Sequence, residues 1–250
     1  MDSLHVATYN IHKGMSPLNR HLRVEDMACA LGEMAPDLLF LQEVQGHNLR
    51  RAARHTNWPE SAQHDYLASR LGCNAAYGLN AAYQHGHHGN ALLSRHPIVA
   101  TSNLDISVNR FESRGVLHCE IHPDGWPRPV VALCIHLNLL AHDRRKQYAA
   151  LARYLRNHVP EDAPLILAGD FNDWRGEATL SFMDHLGLSE VFRTLYGQHA
   201  LSFPARMPVL PLDRIYTRGL MPVEARIHRG MPWASLSDHL PLSAQLMLKT

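Results

Sequence analysis

The stretch Pro164-Leu165-Ile166-Leu167-Ala168-Gly169-Asp170-Phe171-Asn172-Asp173 constrains the fold of this chain more than any other. Five apolar or small residues, Pro164 to Ala168, run without a break to Gly169, the pattern of a strand buried on both faces. Asp170 and Asn172 lie two apart, so continued extended geometry projects them to one side. A carboxylate and a carboxamide at the mouth of a buried strand are costly to desolvate unless they bind something. The alternative is an Asx turn that merely ends the strand, since Gly, Asp and Asn all favour turns.

The same design recurs along the chain. Leu4 to Tyr9 reads as a strand with Asn10 at its end, and Asp37 to Leu41 as a buried strand delivering Gln42-Glu43-Val44. Asn90 to Ser94 and Val130 to Ile135 are further strands, the second ending at His136. Asp213 stands near the start of the strand Leu212 to Tyr216, and Asp238-His239 precedes the alternating strand Leu242 to Leu248. Ala75–Leu79, Arg114–Ile121 and Pro222–Ile227 are further strands, Pro97–Val99 and Leu104–Val108 continue in extended form, and His85-Gly86-His87-His88 is expected to separate two strands. Helical spacing marks residues 22–35 (Leu22, Met27, Leu31, Met34, with Pro36 as a stop), 66–71, 143–158 and 177–186. Residues 46–60 read as a polar loop or short helix. No repeat or linker interrupts residues 1–250, so one domain is expected. Short turns join some strands and helices join others, which argues for mixed sheets packed together with helices outside.

Composition narrows the partners. Net charge is +1, so no overall basic field draws the chain to nucleic acid or anionic membrane. No run reaches the ~18 apolar residues of a membrane helix. Leu4 already begins a strand where a signal peptide would need its basic region, and Cys29, Cys73, Cys119 and Cys134 show no paired spacing, so a cytoplasmic, monomeric protein with free thiols is expected. The 19 histidines are scattered apart from the 85–88 cluster, which lacks the spacing of a structural zinc site.

If the polar strand ends converge, they form a cleft of hard oxygen ligands suited to Mg²⁺ or Mn²⁺, with histidine beside carboxylate for acid–base work. At this level the chain resembles a family. Thr8-Tyr9-Asn10-Ile11-His12, Leu41-Gln42-Glu43-Val44, Gly89-Asn90-Ala91-Leu92-Leu93-Ser94-Arg95, His136-Leu137, Gly169-Asp170-Phe171-Asn172, Leu212-Asp213-Arg214-Ile215-Tyr216 and Ser237-Asp238-His239-Leu240-Pro241 resemble the ordered motifs of the endonuclease/exonuclease/phosphatase (DNase I-like) superfamily. The resemblance covers nearly the whole chain.

That resemblance implies an α/β fold, a four-layered α/β sandwich of two mixed β-sheets packed face to face. It also implies divalent-metal-dependent hydrolysis of a phosphate ester. Glu43 matches the chief metal carboxylate, with Asn10 beside it and Asp238 assisting. Asp170 matches the residue that orients or deprotonates the attacking water, and Asn172 the donor that steadies the phosphate. His239 matches the histidine on the scissile phosphate, oriented by Asp213, which predicts a hydrogen bond of roughly 2.6–3.2 Å between them. His136 matches the residue that eases departure of the leaving oxygen. Asn90 and Arg114, with Arg95, are candidate phosphate contacts. His12 stands where AP endonucleases carry an acid, and His136 where they carry tyrosine, which argues against abasic-site repair. The substrate stays open among nucleic acid, a phospholipid head group and a small phosphorylated metabolite. For a membrane substrate, Trp58, Trp126 and Trp233 are the candidate contacts, with a packing role as the alternative. A catalytically inactive scaffold of the same fold is the competing class.

Overall fold

A computed structural model describes residues 3–249. Its strands are β1 (Ser3–Asn10), β2 (Leu38–Asn48), β3 (Asn74–Tyr83), β4 (Gly86–Ser94), β5 (Ile98–Asp105), β6 (Gly115–Ile121), β7 (Val130–His136), β8 (Leu165–Asp170), β9 (Ser189–Glu190), β10 (Asp213–Arg218), β11 (Leu220–Ile227) and β12 (Leu242–Leu248). Its α-helices are α1 (Val24–Met34), α2 (Leu49–Ala52), α3 (Gln63–Leu71), α4 (Ala141–His158), α5 (Glu177–Leu186), α6 (Val191–Tyr196) and α7 (Trp233–Leu236). One six-stranded sheet has the order β11-β12-β1-β2-β4-β3, the other β5-β6-β7-β8-β10-β9. Both are mixed: β1 runs parallel to β2 and β7 parallel to β8, while the other pairings are antiparallel.

Four layers follow from where the apolar side chains go. Val6, Phe40 and Leu92 of the first sheet meet Cys134, Ile166, Ala168 and Ile215 of the second in the central core. The outward residues of the first sheet, such as Leu39, Leu41 and Leu93, bury Met27 and Leu31 of α1 and Leu67 of α3. The far face of the second sheet covers Tyr148, Leu151 and Leu155 of α4 and Phe182 of α5. Burial on both faces explains why these strands read as unbroken apolar runs.

The connectivity brings the polar strand ends to one edge. The C-terminal ends of β1, β2, β7 and β8 point the same way within each parallel pair. β10 is antiparallel to β8, so its first residue, Asp213, pairs with Asp170, the last of β8, and Asp170 pairs in turn with His136. β12 is antiparallel to β1, so Asp238 and His239, just before it, fall beside Asn10. Asn90 links the sheets: its amide donates to the carbonyls of Gly115 and Cys134, at 3.0 and 3.2 Å. Gln42 also crosses, to Thr8 on its own sheet and to the Cys134 thiol of the other.

Several expectations change. The histidine cluster does not lie between two strands, because Gly86, His87 and His88 are within β4. Consecutive strand residues face opposite ways, so His87 bonds Tyr77 on the outer side while His88 shares the inner face with Asn90 and Leu92. Two neighbouring strand residues on opposite faces cannot hold one zinc ion. β2 runs on to Asn48, shortening the polar segment, and α6 was hidden in a six-residue stretch. Trp126 and Trp233 are buried packing residues, and all four cysteines are free, Cys119 and Cys134 buried and Cys29 exposed.

Gly169 lets β7 and β8 approach. Its φ of +149° and the position of its missing side chain leave no room for a Cβ, which would lie 2.0 Å from the Ile135 carbonyl oxygen. Gly169→Ala is expected to destabilise the fold by at least ~3 kcal/mol through backbone strain and a broken strand pair. Thermal or urea unfolding beside wild type checks this, and a change below ~1 kcal/mol would contradict it.

Candidate active site

The cavity at this edge encloses about 320 Å³ and is lined by Glu43, Arg114, His136, Asp170, Asn172, Asp238 and His239. Leu139, Trp174, Phe203, Leu210 and Leu212 form the rest of its wall. Two structural devices that sequence periodicity does not reveal aim the polar side chains. In β2, Leu41 and Val44 both face the helices although three residues apart, because a bulge lies between them opposite β4. Glu43 sits in that bulge at φ +56° and is turned from the helix side toward the second sheet. After β8 the chain leaves extended geometry at once, with Asn172 at φ +50°.

Both readings of Asp170 hold together. Its Oδ1 accepts the Asn172 backbone N–H at 2.9 Å, closing the Asx turn. Its Oδ2 accepts from Asn10 Nδ2 at 3.0 Å and lies 3.5 Å from His136 Nε2 and 3.7 Å from His239 Nε2. His239 Nδ1 donates to Asp213 Oδ2 at 2.8 Å across 26 residues of sequence, the hydrogen bond the motifs predict. Asn172 Nδ2 donates to the Leu137 carbonyl at 2.9 Å, which leaves one of its two amide hydrogens for the cavity.

Charge is distributed unevenly over this cluster. Burial disfavours the His239 cation, but Asp213 and Asp170 outweigh it and push its pKa up to about 10. Burial, with Asp213 beside it, raises Asp170 to about 6 against the pull of His239. His136 goes the other way: burial and the Arg114 guanidinium hold it well below the usual imidazole range, so it is neutral at pH 7. Burial works against ionisation of Glu43, yet its carboxyl is held below the ordinary carboxylate range, the Lys13 ammonium 3.0 Å away being a permanent charge that favours its ionised form.

Not every sequence candidate reaches the cavity. Asn90 spends both amide hydrogens on the sheet-bridging carbonyls, so it has none to give a phosphate. Arg95 follows β4 at the opposite edge of the sheet, where its Nε donates to the Pro36 carbonyl. Arg114 does line the cavity, with Nη2 on Glu112 at 3.1 Å. Sequence reasoning did not place His12 or Lys13 in the site; both follow Asn10 in left-handed backbone, His12 Nδ1 meeting Asp238 Oδ1 at 3.1 Å and Lys13 Nζ meeting Glu43 Oε2 at 3.0 Å. It also missed Trp174, for which the only signal was an aromatic two residues beyond Asn172.

Residues 7–239 match the model of the Endonuclease/Exonuclease/phosphatase family. The chain belongs to the endonuclease/exonuclease/phosphatase family. Its members are hydrolases acting on phosphoester bonds. The chain is 40% identical over 249 residues to "Uncharacterized protein YbhP" of Escherichia coli (strain K12), covering 98% of this chain and 97% of that protein. Two solved structures show the shared endonuclease/exonuclease/phosphatase fold. A D. rerio TDP2 complexed with single strand DNA product superposes with a TM-score of 0.73 at 18% identity, covering 99% of this chain and 100% of that one. A mannosyl-6-phosphatase of Bacteroides thetaiotaomicron VPI-5482 gives 0.75 at 15% identity, covering 98% and 100%.

The residues present fit the divalent cation typical of this endonuclease/exonuclease/phosphatase family. Glu43 Oε2 is buried, and the Lys13 ammonium 3.0 Å away already stands where a cation is wanted. Asn10, Glu43 and Asp238 offer hard oxygens, the donor type that suits Mg²⁺ or Mn²⁺. Asp170, Asp213 and His239 also bring ligand atoms within 4.8 Å of one another, but those atoms are engaged with one another and His239 is held as a cation, which makes it a poor ligand.

The Asp213–His239 pair makes a pH prediction. The folded pKa of His239, about 10, lies above the unfolded value of about 6.5. Its stabilisation is therefore fully present below pH 6.5 and is lost as pH rises through about 10. The melting temperature of wild type should fall relative to Asp213→Asn between pH 8 and pH 10, on the order of the His239 transition. NMR titration should find the His239 imidazole protonated at pH 8 in wild type and neutral there in the variant. A His239 that titrates near pH 6.5 in wild type would contradict the pairing.

Proposed function

We propose that the chain hydrolyses a phosphate diester with Mg²⁺ or Mn²⁺ held by Glu43, Asn10 and Asp238. The observation that carries this reading is a buried imidazolium, His239, in one cavity with a separate oxygen-rich pole at Glu43. When bound, the metal supplies positive charge against the phosphate oxygens. The chain's own residues do the rest. His239 donates from Nε2 to a phosphate oxygen, its charge kept by Asp213 behind it. Asp170, ionised above about pH 6, accepts a proton from the attacking water, and the Asn10 amide fixes the rotamer of its Oδ2. The free N–H of Asn172 and the Arg114 guanidinium steady the remaining oxygens. His136, neutral and 3.5 Å from Asp170, gives a hydrogen bond to the departing oxygen without adding a second cation.

A panel of supercoiled plasmid, single-stranded DNA, RNA, abasic duplex, sphingomyelin, cardiolipin, inositol phosphates and bis-p-nitrophenyl phosphate, each with Mg²⁺ and Mn²⁺, tests the reading. Hydrolysis of none of them would reject it in favour of a binding scaffold.

Asp170→Asn should lower turnover at least ~10²-fold, the size of a general-base contribution, with the melting temperature unchanged or slightly raised. Loss of activity explained by unfolding would reduce Asp170 to its turn role. Glu43→Gln should weaken Mg²⁺ binding at least ~10-fold by calorimetry, with partial recovery of turnover at high metal. In wild type, kcat/KM should rise through about pH 6 with Asp170 and fall toward about pH 10 with His239. A profile flat across pH 5–7 would exclude Asp170 as the proton acceptor.

A further inference from the structure

The apolar wall of the cavity is built around Trp174. It is 43% exposed and lines the same cavity as Asn172 and His239. The Arg144 guanidinium stacks over its ring, 5.0 Å from the centroid. Arg144 is itself 1% exposed. Its Nη1 donates to the backbone carbonyls of Asn138 and Leu139, and its Nη2 has no hydrogen-bond partner among the described residues. A buried guanidinium is costly unless something offsets its charge, and an indole face is such a group. Arg144 occupies the inner face of the ring, so the exposed area of Trp174 belongs to its opposite face and edges.

The ring is also fixed through the backbone. Just before it, the Asp173 carbonyl accepts from the buried Arg214 at 3.0 Å. The Asp173 carboxylate accepts from the Ala178 N–H at the start of α5, at 2.7 Å. Leu139, 56% exposed, carries the apolar surface on from the carbonyl that Arg144 binds. An aromatic held on one face by a buried cation and anchored at its own backbone is a rigid plate with little entropy left to lose on binding.

We propose that Trp174 is a specificity-determining platform that stacks a planar ring of the substrate, a nucleobase or an aryl group, beside the phosphate. This rests on the phosphoesterase reading of the neighbouring cavity. A flat ring is the occupant the geometry favours. An indole backed by a cation presents one firm plane, and stacking gains from two matched planes where a flexible chain gains only contact area. The plate lies on the same wall as Asn172, so a ring on it is within reach of a phosphate held by the polar pole.

Calorimetric titration with thymidine 5′-monophosphate and with glycerol 3-phosphate, each with and without Mg²⁺, tests the proposal on wild type, Trp174→Ala and Trp174→Phe. Thermal melting of each variant confirms that it is folded. The ring-bearing ligand should bind wild type about tenfold more tightly, the size of one base–aromatic stack. Trp174→Ala should remove that preference and leave glycerol 3-phosphate unchanged, while Trp174→Phe should keep most of it. Equal wild-type affinities, or a loss of both ligands in Trp174→Ala, would overturn the proposal. So would a short-chain diacylglycerol phosphate that binds more tightly than the nucleotide with the same dependence on Trp174. Binding is measured without turnover, so a protein that hydrolyses nothing on the panel rejects the enzymatic reading while this comparison still decides the platform.

Discussion

Asp170 and Asp213 are register partners on adjacent antiparallel strands, both 1% exposed. Two buried carboxylates placed opposite each other repel, and each is costly to desolvate alone. The His239 imidazolium between them makes the arrangement tolerable, donating to Asp213 while its other nitrogen faces Asp170. Each group's state depends on the others. Without the carboxylates His239 would be neutral, and without His239 the buried Asp170 carboxyl would hold its proton more readily. Much of the surrounding structure serves this triad: Gly169 lets the strands close, the Asx turn holds Asp170, and Ser237 donates to the Asn10 carbonyl to bring the His239 segment to β1.

The layered fold was legible because burial leaves a direct mark on sequence. Strands covered on both faces are apolar at every position, and Leu165 to Gly169 and Val130 to Ile135 show that pattern plainly. What failed to register were segments whose state is decided by neighbours. Gly86 to His88 carry polar side chains yet are strand, because β2 and β3 flank them and satisfy their backbone. α6 is too short for periodicity to be read, and its start is fixed by Glu190, whose side chain accepts from the Arg193 N–H.

The convergence of side chains was legible where they stand at the end of a regular element, as with Asn10, His136, Asp170, Asp213 and His239, which the structure brings together. The site was misread where one residue's hydrogen bonds decide its role. Asn90 resembles a phosphate donor in sequence and is committed to two carbonyls in space. The missed residues, His12, Lys13 and Glu43's own reorientation, all involve positive φ at residues other than glycine. No propensity scale anticipates such backbone, which is held only by the structure around it. Trp174 was overlooked for another reason: its importance comes from Arg144, thirty positions upstream in the chain.

The two poles of the cavity belong to different sheets. Asn10, Glu43 and Asp238 are carried by or next to the first sheet, and His136, Asp170 and Asp213 by the second. The site is therefore a joint across a seam, and its working distances are set by how far one sheet can slide over the other. Asn90 and Gln42 act as rivets at that seam, placed within the packed interior and beside the chemistry. A joint riveted there is stiff against shear whatever happens at the rim.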